Sequence, residues 1–436
     1  MPAVPRFTAV SLSVFAFTLA NLSLSACESG ESAAPVDEPE RDAARAERDA
    51  GHDGGRDAGR DASSDARVST RDAKGDEAPD ARVPDQTSDA GADCVEFTLP
   101  AKDSQAFKDL GCAPPMGAPL PRDLRCTGLY ANLDERVTAC NVLEYKPALE
   151  LWSDAAEKRR WVSLPKGTKV DVSDPNDFVF PAGTQFWKEF RVQGSDGAMR
   201  LAETRLLRKT DDGWLRTSYV WSEDQSEAIQ MDNALGVPNL YGTGHTVPNR
   251  DQCADCHVGR KDEILGWDAL MLGPGATGLT REKLVELDMV EGGSLELAIP
   301  GNEIEKAALG YMHANCGVSC HNETAMAKAK DTGLYLRLEA GELDSVQTTD
   351  AFKTSFKRPA ENAKYEGLMN MMPEYWYDIR PGDPARSLMI ARQTMRGTEA
   401  QMPRIGTNKV DDAGVQAVTR WIESMTRDAG YPAPMP

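Results

Sequence analysis

The chain has 436 residues, 69 acidic against 49 basic side chains, and a formal net charge of −20 at pH 7. That balance argues against a partner with a polyanionic backbone, and neither a Walker A loop nor a dinucleotide glycine fingerprint occurs, so no nucleic-acid partner is expected. Only five histidines are present, few to serve a Ser-His-Asp hydrolase.

In chain order, Arg6 precedes an apolar run from Val10 to Leu22, which ends in Leu24-Ser25-Ala26-Cys27. This pattern predicts a secretory signal peptide over residues 1–26, because the run falls short of the roughly 20 residues that span a bilayer. The Leu-Ser-Ala-Cys ending resembles the lipobox of bacterial lipoproteins, which implies a lipid on Cys27 and a membrane-anchored, extracytoplasmic protein. Residues 28–93 lack Leu, Ile, Met, Phe, Tyr and Trp, and repeat Arg-Asp-Ala at 41, 48, 56, 60 and 71. Their 9 basic and 19 acidic residues sum to −10, half of the charge of the chain. Such a stretch cannot bury enough apolar surface to offset its ordering entropy. Residues 27–93 are therefore predicted to be a lipid anchor and disordered acidic linker with a reach of roughly 45 Å.

Export also suits the cysteines. Cys94, Cys112, Cys126 and Cys140 form an even set within a short stretch and predict two disulfides, with three pairings open. From there the chain reads as β-rich. Phe186 to Val192 nearly alternates, and Met199 to Leu207 leads through Thr210-Asp211-Asp212-Gly213 into Trp214 to Trp221. In the last run Leu215, Thr217, Tyr219 and Trp221 share a face, so a hairpin within an antiparallel sheet over roughly 140–235 is expected. Past Tyr241 the periodicity becomes helical: Thr280 to Leu287, Ile304 to Ala314, a Met-rich stretch from Glu366 to Thr394, and Asp412 to Met425.

Two signatures fall in this second half, Cys253-Ala254-Asp255-Cys256-His257 and Cys316-Gly317-Val318-Ser319-Cys320-His321. C-x-x-C-H is the sequence form of a covalently attached c-type haem: two thioethers hold the ring and the adjacent histidine ligates the iron. On this reading Cys253, Cys256, Cys316 and Cys320 bind cofactor, and His257 and His321 bind metal. Rival readings are a redox dithiol or half of a zinc site at the first motif, and a Cys316–Cys320 disulfide at the second, whose spacer is one residue longer. For the first iron the free candidates for a sixth ligand are His245, His313 and Met271.

Residues 308–422 resemble a class I cytochrome c domain. A helix bearing Ala308 and Met312 precedes Cys316, Met402-Pro403 follows a long middle segment, and a final helix carries Trp421. The resemblance implies that Met402 is the sixth ligand of the second haem and that the first and last helices cross beside it. More broadly, residues 145–430 resemble a group of exported bacterial di-haem-motif proteins. The matching residues are Trp152-Ser153-Asp154, Glu203-Thr204-Arg205, Pro248-Asn249-Arg250 before the first motif, and Pro381-Gly382-Asp383-Pro384 leading to Ser387-Leu388. Asp154, Glu203 and Arg205 would either line a site or form a structural ion-pair network. That resemblance implies cytochrome character and no particular substrate.

The expected fold class is α+β, an N-terminal antiparallel β-rich domain (94–240) followed by a first haem-motif region (241–300) and an all-α class I cytochrome c-like domain (301–436). The expected function is electron transfer by one or two haem c groups with redox partner proteins, in place of catalysis. Two alternatives stay open: a peroxidase- or dehydrogenase-like haem enzyme with one five-coordinate iron, and a non-haem surface lipoprotein stabilised by disulfides.

Overall fold

The structure is a computed structural model that describes residues 94–114, 119–231, 236–358, 377–426 and 431. The expected signal peptide, Cys27 and the linker 28–93 lie outside the described residues, as does the part of the Met-rich stretch from 366 to 376. Among the described residues no helix is long and apolar enough to cross a membrane.

The chain mixes α and β elements. A short helix α1 (Gln105–Asp109) precedes strands β1 (Tyr130–Asn132), β2 (Val137–Thr138), β3 (Leu143–Lys146), β4 (Glu157–Ser163), β5 (Val170–Asp171), β6 (Gln185–Gln193), β7 (Met199–Thr210), β8 (Gly213–Trp221) and β9 (Ala228–Gln230). Helix α2 (Arg250–His257), β10 (Thr277–Gly278), α3 (Arg281–Glu286), β11 (Val290–Glu291), α4 (Glu303–Met312) and α5 (Asp350–Ser355) follow. The last two helices are α6 (Leu388–Thr394) and α7 (Asp412–Ser424). Two short strands thus interrupt the region whose periodicity predicts helices.

Seven strands form one antiparallel sheet in the order β10-β3-β4-β6-β7-β8-β9. The β7–β8 hairpin closes at the expected Thr210-to-Gly213 turn, where Thr210 pairs with Gly213 and Gly213 takes a φ of 125° that a side chain disfavours. Because side chains alternate along a strand, the sheet has two distinct faces. One carries Trp161, Trp187, Leu206, Tyr219 and Trp221, all almost fully buried under Leu120, Leu124, Leu129, Tyr130 and Leu133. That covering segment is short and loop-rich, and two disulfides, Cys94–Cys140 and Cys112–Cys126, staple it.

The opposite face presents Val162, Phe186 and Leu207 to Ile264, Trp267, Leu272, Leu279 and Leu284. The segment that carries the first signature therefore packs on the sheet, and through β10 it extends the sheet by one edge strand.

A further core joins α4 to α7. Ala308, Leu309 and Met312 meet Val418, Trp421 and Ile422, with Ala351 and Phe352 from α5 beside them. The crossing is close because Gly414 of α7 lies against the Tyr311 ring, in space that a Cβ would need. Asn302 starts α4 with a capping box closed by Glu305, which satisfies N–H groups left without partners at a helix start.

Candidate functional site

The first signature lies along α2. Asn249 caps this helix through Gln252 in a reciprocal capping box, and regular α-helical geometry places Cys256 and His257 one turn on from Cys253, on the same side of the helix. His257 Nδ1 is 2.6 Å from the Glu263 carbonyl oxygen. A carbonyl only accepts, so Nδ1 carries the hydrogen, and Nε2 is left with its lone pair.

The second signature solves the extra residue in its spacer with a different turn. Residues His313–Gly317 form a π-helix that continues α4. Val318 N–H donates to His313 O at 2.9 Å and His321 N–H donates to Cys316 O at 2.9 Å, both five residues back. A π-turn is a helical turn with one residue inserted, so the added residue is absorbed without breaking the run from Cys316 to His321. Gly317 lies where two chain segments meet. A Cβ there would enter the backbone of Leu336 and Arg337, so the glycine permits close approach of a second chain segment. His321 Nδ1 is 3.1 Å from the Leu334 carbonyl, the same arrangement as at His257, again leaving Nε2 with the lone pair. Asn322 Nδ2 donates to Gly317 O at 2.7 Å and closes the loop.

All four cysteines of the two signatures are unbridged, so no Cys316–Cys320 disulfide is formed. Burial pushes the Cys256 and Cys316 thiols up to about 12, and Cys253 and Cys320 are raised for the same reason. A redox dithiol needs the opposite, a thiolate stabilised near neutral pH. Among the described residues no three His, Cys, Asp or Glu side chains converge as a metal site, whereas zinc held by protein alone takes three or four such ligands.

The fold brings the two signatures together. A Cβ at Gly259, two residues after His257, would collide with the Ser319 carbonyl, and Lys328 Nζ bridges to Asp255 Oδ1 at 2.7 Å. Burial is the main cause of the raised Cys256 thiol, and the neighbouring Cys320 adds to it.

His257 lines a small cleft of about 50 Å³ against the sheet, together with Leu151, Arg160, Lys188, Arg205, Ile264 and Leu265 among others. Burial in it, reinforced by Arg216, Lys188 and Arg205, lowers His257 to about 3. Burial and the adjacent Arg160 hold the Lys188 amine well below the usual lysine range. A wider groove beside the disulfides, lined by Phe97, Pro119 and Arg208 among others, contains none of the signature residues.

The candidates for a sixth ligand are placed as follows. His313 is committed at both nitrogens: Nδ1 accepts from Leu338 N–H at 3.0 Å, and Nε2 faces Asp268 at 3.3 Å. His245 Nε2 is 2.9 Å from Glu203. Met271 is fully buried in a cluster with Ala314 and Val318, against which Leu151 and Leu265 of the His257 cleft also pack. Met402 is half-buried in a loop whose Met402–Pro403 bond is cis. Its N–H donates to Arg392 O at 2.9 Å, and burial, with Leu334 and Arg392 as further influences, sets His321 at about 4.

The weaker signatures make hydrogen bonds and ion pairs between elements, and Arg205 also lines the His257 cleft. Asp154 Oδ1 accepts from Asn408 N–H at 2.7 Å and from Lys409 N–H at 2.8 Å, and Trp152 N–H donates to Asn315 Oδ1 at 2.6 Å. They tie the β region to the Met402 loop and to the residue before Cys316. Glu203 is buried between Arg205 Nη2, at 2.5 Å, and His245. Burial alone would raise its carboxyl, but Arg205 and His245 outweigh that and lower it to about 2. Sequence reasoning missed Arg160 and Lys188, because their approach to His257 depends on strand pairing and not on spacing.

No family model matches the chain, and no curated protein or solved structure is significantly similar to it.

Proposed function

We propose that the protein is an extracytoplasmic, lipid-anchored c-type cytochrome that carries two covalent haems and transfers electrons to and from redox partner proteins. The observation that carries this reading is the repeated histidine geometry. At His257 and at His321, Nδ1–H is held by a backbone carbonyl and Nε2 is free, each beside two unbridged thiols. A ligating histidine is typically oriented in this way by its second nitrogen. When bound, a c-type haem supplies a one-electron couple at its iron.

In this reading Cys253 and Cys256, and Cys316 and Cys320, hold the rings. His257 and His321 orient an imidazole toward each iron, and the π-turn keeps the longer spacer compatible with attachment. Met402 offers the second iron a thioether, which favours the reduced state relative to a second histidine. The α4–α7 crossing then corresponds to the helix pair of a class I cytochrome c-like domain. Contact between Gly259 and Ser319 supports passage of an electron between the two groups before it leaves for a partner. High thiol pKa values and the absence of convergent ligand sets among the described residues favour this reading over a redox dithiol or a zinc site.

Expression of the full chain with a haem-attachment system, followed by intact mass and pyridine haemochrome assay, tests it. Two covalent haems per chain are expected. A protein without haem absorbance, or a mass without added haem, overturns the reading; a single haem lost on His257→Ala but retained on His321→Ala restricts it to the first motif.

A further inference from the structure

We infer that Arg160, Lys188 and Arg205 form a binding site for one small planar oxyanion, of the formate or bicarbonate class, on the sheet beside His257. The inference goes beyond the haem reading and requires no iron. The three residues occupy adjacent strands in direct register, Arg160 opposite Lys188 and Lys188 opposite Arg205, and all three line the cleft shared with His257. Like charges directly opposite across a sheet repel, so three cations in one row call for negative charge.

The chain itself supplies only part of that charge. Arg205 is matched by Glu203. Among the described residues Lys188 has no carboxylate within ion-pair distance, and its amine rests over the Phe190 ring at 4.8 Å. Arg160 carries the argument. It is 2 % exposed, and neither Nη1 nor Nη2 makes a hydrogen bond. The Glu150 carboxylate stands 3.5 Å from Nη1, while its other oxygen pairs with Lys146 at 2.9 Å. A buried guanidinium cannot relieve its charge by losing a proton, and its unmade hydrogen bonds carry their full desolvation cost. Water in the cleft would satisfy the N–H groups and leave the charge of the row in place; an anion meets both needs.

Size and donor geometry say what kind of anion. The cleft offers about 50 Å³, and one water takes roughly 10–15 Å³ of such space, so the occupant has only a few heavy atoms. Both Nη groups of Arg160 are unused. A planar oxyanion accepts two parallel bonds from that fork, one on each oxygen, whereas a spherical halide offers a single centre for both donors to share.

The test uses the full chain, expressed with a haem-attachment system, and sodium formate as the probe. Sodium gluconate, too bulky for the cleft, holds the ionic strength constant. A ligand that binds only the folded state raises the thermal midpoint in a saturable way. Wild type is expected to show such a rise with formate, and equilibrium dialysis with labelled formate should count one per chain. Arg160→Gln should abolish both signals. Arg160→Lys, which keeps the charge but loses the fork, should weaken binding roughly tenfold, the loss of about one charge-assisted hydrogen bond. Lys188→Met should weaken it at least as much, and these two variants decide the matter if Arg160→Gln does not fold. Lys306→Gln, which removes an exposed cation paired with Glu303, should bind as wild type does. No saturable rise in wild type, or undiminished binding in the Arg160 and Lys188 variants, overturns the inference. So does chloride binding as tightly as formate, or a Soret shift with formate that persists in Arg160→Gln, which would assign the anion to an iron. Haem-free wild-type protein would be a failure of the haem reading alone, and the formate titration is read on it in the same way.

Discussion

Gly259 and Ser319 lie back to back, with the Cα of the glycine pressed against the carbonyl of the serine so that no Cβ fits between them. One residue follows the first cysteine signature and the other lies inside the second, so this contact sets how far apart the two sites stand.

Replacing that glycine should therefore have two effects. Gly259→Ala must push the Ser319 backbone away, and overpacking of this kind costs about 1–3 kcal/mol. Gly341→Ala, with nothing within 4 Å of its Cβ, should be near neutral. Urea denaturation of the two variants compares the costs directly, and equal midpoints would show that the contact is not tight. In haem-loaded protein, Gly259→Ala should also slow equilibration of electrons between the two groups after a flash or rapid-mixing pulse.

A second prediction concerns acid stability at Glu203. Its carboxyl titrates near 2 in the folded chain, against 4.5 as the ordinary value, so between those limits the unfolded state binds the extra proton. The stabilisation is complete above pH 4.5 and is lost as pH falls through about 2. Glu203→Gln, which leaves the half-buried Arg205 without its partner charge, should cost about 1–3 kcal/mol near neutrality. The gap between wild type and variant in chemical denaturation should close as pH is lowered from 4.5 toward 2; a gap independent of pH would contradict the assignment.

Glu339 should behave with the opposite sign. Burial lifts its carboxyl to about 7 in spite of Arg337, so the folded state holds a proton that the unfolded state releases above 4.5. Its contribution is present below pH 4.5 and disappears as pH rises through 7. Glu339→Gln should flatten the fall in stability between those values, measured as the thermal midpoint across a pH series.

The disulfides are expected to matter unequally. Cys112–Cys126 spans 14 residues and Cys94–Cys140 spans 46. Chain-entropy reasoning assigns them about 3 and about 4 kcal/mol respectively. Paired Cys→Ala variants, compared by denaturant titration, should rank in that order, and the segment over Trp161 and Trp221 should become the first to lose amide protection.

Met402→Ala tests the second iron site. If its thioether is the sixth ligand, the variant keeps both haems but one midpoint potential falls, and the ferric spectrum of that site acquires high-spin character. Spectra and potentials identical to wild type would remove Met402 from the site.

Features encoded within a few residues were readable in advance. The β7–β8 hairpin follows from alternation around Asp211-Asp212-Gly213, the terminal helix from the apolar stripe of Val418, Trp421 and Ile422, and the two cysteine signatures from their spacing alone. The sequence also supplied an even set of four cysteines, but three pairings were open and only folded proximity selected Cys94–Cys140 and Cys112–Cys126. His313 and His245 looked equally free as side chains, until Asp268, Leu338 and Glu203, distant in sequence or across an element, engaged them.

What the sequence by itself determined about this protein is the local chemistry: two cysteine-and-histidine signatures, one regular and one a residue longer, downstream of a β-rich half. What only the tertiary structure decided is how that chemistry is surrounded. The longer spacer becomes a π-turn, the two signatures touch at Gly259 and Ser319, and strand register gathers Arg160, Lys188 and Arg205 before His257. The reason is physical. Spacing along a helix or strand is set by backbone geometry within a few residues, whereas neighbours across a sheet or between segments are set by packing and pairing that no short window of sequence contains.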